Sequence, residues 1–147
     1  RKIPMSNGKG LELLSAEMIK TIREASSLET LQPYAKSLEV KLQLTQKVIG
    51  HLMPYALQGD YERYLADASI FMEYLSLILV SWTWLDIGVN ATNALLHGGN
   101  YSKDFYESKI HTMKYYYTYE LPKTSGLAEI LLNTESITIK KETEPII

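Results

Sequence analysis

Residues with catalytic chemistry are scarce in this chain of 147 residues, and their spacing does not assemble an active site. The absence of cysteine excludes thiol nucleophiles, disulfides and cysteine-ligated zinc or iron–sulfur centres. A di-metal carboxylate site in a helical bundle needs Glu-x-x-His pairs on two helices. The nearest match is Glu107 with His111, which has no second pair and is interpreted as a solvated pair on one helix surface.

Phosphate-binding and nucleophile motifs are also missing from the sequence. The glycines at 8, 10, 98 and 99 lack the Lys-Ser/Thr ending of a phosphate loop, and no Gly-x-Ser-x-Gly elbow is present. The net charge of −2 argues against a dedicated nucleic-acid binder. We therefore expect no catalytic, cofactor-binding or metal-binding residue in this chain, and no nucleic-acid partner.

Asp86 and two tryptophans are the first candidates for an interface or a ligand pocket. Asp86 lies four residues after Trp82 on the apolar seam of a predicted helix, where a buried carboxylate is costly unless partnered. A solvent-facing or hydrogen-bonded Asp86 is favoured, because the drift of a 3.6-residue helix can turn Leu85 inward instead. Trp82 and Trp84 lie on nearly opposite sides of the helix, so the burial of both would need partners on two flanks and would indicate an interface.

The tyrosines of the last predicted helix provide the remaining candidates. Tyr115, Tyr116, Tyr117 and Tyr119 could stack on a nucleotide base, but consecutive helical residues point in different directions and cannot form one platform. Tyr117 is predicted to lie in the core, while the others bridge core and surface with their hydroxyls in water. The full candidate set for an interface or pocket is Trp82, Trp84, Asp86, Tyr106, Tyr116 and Tyr117.

Four helices must position these residues, and the first two show the spacing of buried stripes. A helix over about 9–25 carries apolar residues three and four apart. A second helix over about 31–57 has Thr30 as N-cap and Pro33 in its first turn. Its seam is apolar at all but one position and is typical of an antiparallel bundle. The seam positions are Leu31, Ala35, Leu38, Leu42, Thr45, Ile49, Leu52 and Ala56.

The third predicted helix, over about 61–96, is the most informative element. Between Arg63 and Lys103 the chain has no lysine or arginine, and its acidic residues there are Asp67, Glu73 and Asp86. A helix that is apolar on most of its circumference is buried on several sides. We therefore expect it to be the central helix of the fold, or to meet another chain with one face.

A fourth helix over about 102–121, with Ser102 as N-cap, completes the bundle, and a short continuation to 132 follows Pro122. The predicted fold class is all-α. Residues 1–132 form an antiparallel up-and-down four-helix bundle, and residues 133–147 form an extended tail.

The sequence also predicts the cellular location of the protein. The uncharged stretch between Glu73 and Asp86 is shorter than a bilayer crossing needs, which predicts no membrane span. No targeting signal is evident at the start of the sequence, so we expect a cytoplasmic location. Because Arg1 is not an initiator residue, we expect the chain to be a piece of a larger protein.

Several short motifs occur in an order that resembles a known family. They are Arg1-Lys2 with Asn7-Gly8-Lys9, Gly59-Asp60-x-Glu62 before Leu65-Ala66-x-Ala68, Tyr74-Leu75 before Trp82-x-Trp84-Leu85, Phe105-Tyr106-x-x-Lys109, and Tyr119-Glu120-Leu121-Pro122. Together they resemble the C-terminal helical extension of a subgroup of acyl-CoA dehydrogenases, over nearly the whole chain.

The resemblance implies a flavoenzyme that oxidises an acyl-CoA thioester at its α and β carbons, with FAD as hydride acceptor and a glutamate as base. In the family the flavin domains and the segment with that glutamate precede this extension. No catalytic residue is therefore assigned here, and Glu73, Glu107 and Glu120 do not take that role. The family extension packs on the catalytic body and helps to build its assembly.

We therefore expect the C-terminal helical domain of such a flavoenzyme, inactive alone, that serves packing, oligomerisation or the shaping of the acyl-CoA entrance. Its partners would be the preceding catalytic domains and further copies of the chain. An alternative from another class is a free-standing helical adaptor or oligomerisation module without enzymatic activity. A third, a ligand-binding bundle, would show an apolar cavity between the third and fourth helices lined by Asp86 or Tyr117.

Overall fold

The described part of the chain is entirely helical. A computed structural model describes residues 3–57, 62, 65 and 67–133; for residues 3–9, 11 and 55–57 it describes the backbone alone. Its elements are α1 (Ile3–Ser26), a 3₁₀ turn (Glu29–Leu31), α2 (Gln32–Leu57), α3 (Ala68–His97), α4 (Lys103–Tyr119) and α5 (Lys123–Leu131). No strand occurs among these residues, and the all-α class is confirmed.

The third helix is the hub of the fold. α3 packs against each of the other four α-helices, and α2 likewise touches α1, α3, α4 and α5. A helix with so few charges is stable in water only when neighbours cover much of its surface. The prediction that this helix is central is confirmed by its contacts.

The first two helices begin at other residues than predicted. α1 begins at Ile3 rather than near Lys9, because glycine lowers helix stability without stopping the helix, and Gly10 has open space around it. Thr30 is not the N-cap of α2 but lies inside the 3₁₀ turn, which buries Leu31 before the α-helix starts. Pro33 does occupy the first turn of α2, where the missing N–H costs nothing.

The third helix is shorter than the predicted element over 61–96. Asp67 is the N-cap residue of α3, and its backbone ψ of 3° is not helical. The Asp67 carbonyl accepts the first helical hydrogen bond, from Phe71 N–H at 2.9 Å. The predicted start at Tyr61 and the turn over 58–60 lie outside the described residues. At the other end Gly98 stops the helix as expected, with a φ of 97° that favours glycine.

The C-terminal part contains a fifth helix that the sequence pattern presents as a continuation. Ser102 caps α4 as predicted, and its Oγ accepts a hydrogen bond from Phe105 N–H at 3.1 Å. α4 ends at Tyr119, and Pro122 is the N-cap residue of the separate helix α5. α5 turns back across α2 and α3, and Lys41 Nζ of α2 donates to Ser125 Oγ at 2.8 Å. The predicted tail over 133–147 lies outside the described residues, apart from Asn133.

The core follows the predicted seams, except at one position of α2. In α2, Val48 is fully buried where Ile49 was expected, because a straight helix drifts relative to a strict repeat. The side chain of Ala56, at the end of that seam, lies outside the described residues. The largest fully buried side chains come from every α-helix and from the 3₁₀ turn. They include Met18, Leu31, Leu38, Tyr74, Ile78, Leu85, Met113, Leu121 and Leu131.

Replacement of two helix-interior glycines by alanine is expected to change the free energy of unfolding in opposite directions. A Cβ at Gly88 of α3 would lie 2.5 Å from Met113 Sδ, and the fully buried Met113 has little room to shift. Gly88→Ala should therefore lower the free energy of unfolding by about 1–2 kcal/mol. Gly50→Ala in α2 meets nothing within 4 Å and should raise it by about 0.5–1 kcal/mol. Urea denaturation of both variants checks this, and an unchanged or higher stability of Gly88→Ala would contradict the α3–α4 packing.

Candidate functional site

The two tryptophans of α3 both pack within this chain. Trp82 is half-buried, and its indole N–H donates to Thr21 Oγ1 of α1 at 2.9 Å. Trp84 is also half-buried and packs against the hydrophobic core. α1 covers one flank of α3, and α4 covers another, where Tyr117 reaches Ser81. This chain itself therefore supplies cover on two flanks, and the tryptophans alone do not require a second chain.

Asp86 is exposed, and the neighbouring Leu85 is fully buried. The helix thus presents Leu85 to the core in the register that the drift of a 3.6-residue helix allows. A carboxylate in water carries no desolvation cost, so Asp86 needs no buried partner. Neither Asp86 nor Tyr117 lines the groove that lies between the 3₁₀ turn, the end of α3 and the middle of α4.

Tyr106 belongs to an aromatic cluster at the turn between α3 and α4. Its ring packs edge-on against Phe105, with centroids 5.3 Å apart, and its hydroxyl accepts a hydrogen bond from Tyr101 N–H at 3.1 Å. Lys109 Nζ lies 5.0 Å from the Phe105 ring centroid, within the range of a cation–π contact. Gly99 allows this closure, because a Cβ there would collide with the Tyr106 ring. The cluster fixes the turn.

Tyr117 is a core residue, as predicted. Its side chain is 7% exposed, and its hydroxyl donates to the Ser81 carbonyl of α3 at 2.8 Å. Its ring meets Tyr34 of α2 edge-on, with centroids 5.6 Å apart. Burial raises the pKa of Tyr117 well above the ordinary 10.0, because the phenolate would lose its hydration.

The other tyrosines of α4 lie at the surface. Tyr116 is half-buried, and burial, followed by the negative charge of Glu120, raises its pKa. Tyr115 and Tyr119 are exposed, and their rings contact each other with centroids 5.0 Å apart. The six predicted residues therefore do not converge on one site, since they reach α1, the core, the solvent and the α3–α4 turn.

One buried polar contact was not predicted, although the sequence contains a signal for it. Thr45 interrupts the apolar seam of α2, and its Oγ1 lies 2.9 Å from the Tyr74 hydroxyl in the interior. Thr45 Oγ1 also donates to the Lys41 carbonyl at 2.8 Å, so it accepts from Tyr74. A lone hydroxyl in an apolar seam needs such a partner.

The acidic and imidazole side chains do not form a metal site in the described part of the chain. No three His, Asp or Glu side chains come together there. Glu107 lies 3.9 Å from Lys103 Nζ, so it is paired within its own helix. The Glu107–His111 pair is thus part of a charged helix surface.

A groove of about 670 Å³ runs between the turn at 28–31, the end of α3 and the middle of α4. Five of the eleven residues that line it are aliphatic, and one of these, Leu96, is 63% exposed. Thr92 of α3 lines the groove, and its buried Oγ1 has no hydrogen-bond partner among the described residues. No sequence motif indicated this feature.

The outer face of α3 is the second surface of interest. Met72 and Val80 are exposed there, 53% and 38% respectively, and only 22% of the most apolar stretch of the helix is buried. Ser76, Thr83 and Asn90 lie exposed between and beyond them, and the exposed carboxylates of Glu73 and Asp86 flank the face, so it is neither uncharged nor wholly apolar. By length and composition, α3 is the one described helix that could cross a bilayer. The core helix of a soluble protein can have the same length and composition.

These features define an all-α domain whose central helix contacts the other four α-helices. Comparison with known protein families identifies one whose model, described as acetyl-CoA dehydrogenase C-terminal like, matches residues 14–140. The chain belongs to this family, and the family resemblance is confirmed; the motif residues 1–9 lie outside the matched range. No curated protein and no solved structure shows significant similarity to the chain.

Loss of the Tyr117 hydroxyl should destabilise the fold measurably. Tyr117→Phe removes the hydrogen bond to the Ser81 carbonyl without changing the ring, and should lower the free energy of unfolding by about 1 kcal/mol. Tyr119→Phe, at an exposed tyrosine of the same helix, is the matched control and should change it by less than about 0.5 kcal/mol. Equal effects in urea denaturation would contradict the buried contact.

Stability should fall at alkaline pH because of the same residue. Tyr117 ionises near pH 10.0 in the unfolded chain but at a higher pH in the fold, so its contribution is complete below pH 10.0 and is lost above it. The free energy of unfolding should fall with a slope of up to about 1.4 kcal/mol per pH unit from this group. Tyr117→Phe should flatten the decline between about pH 9 and about pH 11. An unchanged slope would show that Tyr117 is accessible to hydroxide.

Proposed function

We propose that this chain is the C-terminal helical domain of an acyl-CoA dehydrogenase-like flavoenzyme. In the full-length protein the catalytic domains that precede it carry out FAD-dependent α,β-oxidation of an acyl-CoA thioester. The domain itself serves packing and oligomerisation, and shapes the entrance for the substrate. Membership of the family, over residues 14–140, supports this assignment.

The outer face of α3 is the observation that carries the packing role. Met72 and Val80 expose apolar surface on a helix without lysine or arginine. The core of a protein–protein interface is depleted in charged side chains, and its rim is polar. The strip from Met72 to Val80 is uncharged along its centre, and Glu73 and Asp86 flank it. The exposed carboxylates of Glu73 and Asp86 would be costly in lipid, so we propose that the face contacts protein and that α3 does not span a membrane.

The helices are proposed to form an up-and-down four-helix bundle of α1 to α4, extended by α5. The short connection at 98–102 suits antiparallel neighbours, and α4 runs along α3 from Gly88 to Ser81 as its own numbering rises from Met113 to Tyr117. Such a bundle is a rigid platform on which a partner surface stays in place.

The described residues do not fit a flavin. FAD carries a pyrophosphate, which needs cations or backbone donors around it. The groove between α3 and α4 instead exposes Glu29 and Glu107 beside Lys114, and its interior is aliphatic. We therefore propose that FAD is held by the preceding domains and that this chain contributes no flavin ligand.

Purification of the chain alone and of the complete gene product tests the assignment. The complete product should carry a flavin absorbance spectrum and oxidise acyl-CoA, whereas the chain alone should be colourless and inactive. A yellow, active preparation of the chain alone would contradict the proposal. A complete gene product that lacks flavin domains would favour a free-standing helical adaptor.

A charge on the outer face of α3 should weaken assembly without unfolding the domain. Val80→Glu places a carboxylate in the proposed contact, and should weaken association of the complete gene product by about tenfold or more. Val40→Glu, at a 47% exposed valine of α2, is the matched control. Light scattering across a dilution series measures the association. Equal behaviour of the two variants, both with unchanged melting temperatures, would exclude this face.

A further inference from the structure

Lys41 of α2 is half-buried and takes part in none of the ion pairs between described residues. Lys36, Lys103 and Lys123, by contrast, each pair with a nearby glutamate. The Nζ of Lys41 donates instead to Ser125 Oγ of α5 at 2.8 Å. Burial lowers the pKa of Lys41 below its ordinary 10.5, because the ammonium loses part of its hydration. A neutral hydroxyl offsets that loss less well than an anion would.

Ser125 is exposed, and its oxygen contacts a cation on another helix. The hydroxyls of Ser81 and Ser108 donate instead to backbone carbonyls of their own helices. The surface beside Ser125 is open, because a Cβ on the neighbouring Gly126 would meet nothing within 4 Å. Ser125 is therefore accessible to a modifying enzyme, and a group attached to its oxygen would lie beside the Lys41 ammonium.

α5 is the element that the contact between Lys41 and Ser125 holds in place. This helix has nine residues, and isolated helices of that length are marginal in water. Its buried Thr124, Ala128 and Leu131 pack on α2 and α3, and the hydrogen bond from Lys41 ties its first turn to α2. A change of charge at Ser125 would therefore alter how firmly α5 covers the core.

We propose that Ser125 is a phosphorylation site and that its phosphate binds the Lys41 ammonium and holds α5 on α2. In this step Ser125 Oγ attacks the γ-phosphorus of a nucleoside triphosphate bound by a protein kinase. The new O–P bond forms as the bond to the β–γ bridging oxygen breaks, so the nucleoside diphosphate leaves and the hydroxyl proton is released. The phosphate carries about 1.5 to 2 negative charges at pH 7. A charge-assisted bond then replaces the bond to a neutral hydroxyl.

The charges around Ser125 decide whether a phosphate there stabilises α5. Glu129 is exposed one turn further along α5, and its like charge opposes the phosphate. Lys41 outweighs Glu129, because repulsion between exposed side chains is weak, whereas a hydrogen bond between charged groups is stronger. Glu120 is already paired with Lys123 at 3.0 Å. The position of Ser125 in the first turn of α5 adds a smaller favourable interaction with the helix dipole.

Hydrogen exchange of the α5 backbone amides, followed by mass spectrometry, tests the role of the phosphate. The chain with genetically encoded phosphoserine at position 125 should exchange these amides about tenfold more slowly than the unmodified chain. Lys41→Met keeps the apolar stem but removes the charge, and should reduce this gain to about threefold or less, the share of the helix dipole. Lys41→Arg should retain the gain. Lys47→Met, at an exposed lysine of the same helix, is the matched control and should retain it in full.

Phosphopeptide mass spectrometry of the complete gene product tests whether the modification occurs. The protein is isolated with phosphatase inhibitors from its native cells, both growing and starved. A phosphate on Ser125 is expected in at least one of the two preparations, and its absence from both would overturn the proposal.

Two results of the exchange measurement would also overturn the proposal. Unchanged or faster exchange of α5 in the phosphorylated chain would show that Lys41 does not bind the phosphate. An equal gain in Lys41→Met would assign the whole effect to the helix dipole. None of these results bears on the proposed flavoenzyme or on the packing role of α3, whose tests use the flavin spectrum and Val80.

Discussion

The composition of α3 is the constraint on which the rest of the structure depends. A helix of 30 residues with Glu73 and Asp86 as its only Asp, Glu, Lys or Arg residues must be covered by other elements. The other four α-helices each bury part of it, and hydrogen bonds join its inner side to two of them. Tyr74 bonds Thr45, and the Ser81 carbonyl accepts from Tyr117. These contacts tie α3 to α2 and α4 and fix how the helices align.

The sequence predicts the helical class, the central helix and most of the core because these depend on periodic burial. The stripe of α2 fails by one residue, at Val48, since a seam with strict spacing ignores the drift of a straight helix. The residue type of Thr30 predicts a helix cap. In the structure, however, Leu31 is buried in the core, and the chain forms a 3₁₀ turn there before α2 begins. Tertiary burial decided that boundary, and local preference did not.

For the candidate site, the packing of the helices decides more than the sequence pattern does. The six predicted residues are prominent in the sequence because they are large or charged, but the fold distributes them over different surfaces. The buried hydroxyl of Thr92 has no partner among the described residues, and no sequence pattern reports the conformation of one side chain. Motifs therefore identify the family of this chain, while its most distinctive polar group emerges only from the packing.

α5 lies late in the chain but completes a core that begins much earlier. Its buried Thr124, Ala128 and Leu131 pack on α2 and α3, and Ser125 bonds to Lys41 across 84 positions of sequence. During translation, α2 and α3 emerge from the ribosome before this cover exists. Their apolar surfaces then stay exposed until α5 has been synthesised, and exposed apolar surface favours aggregation.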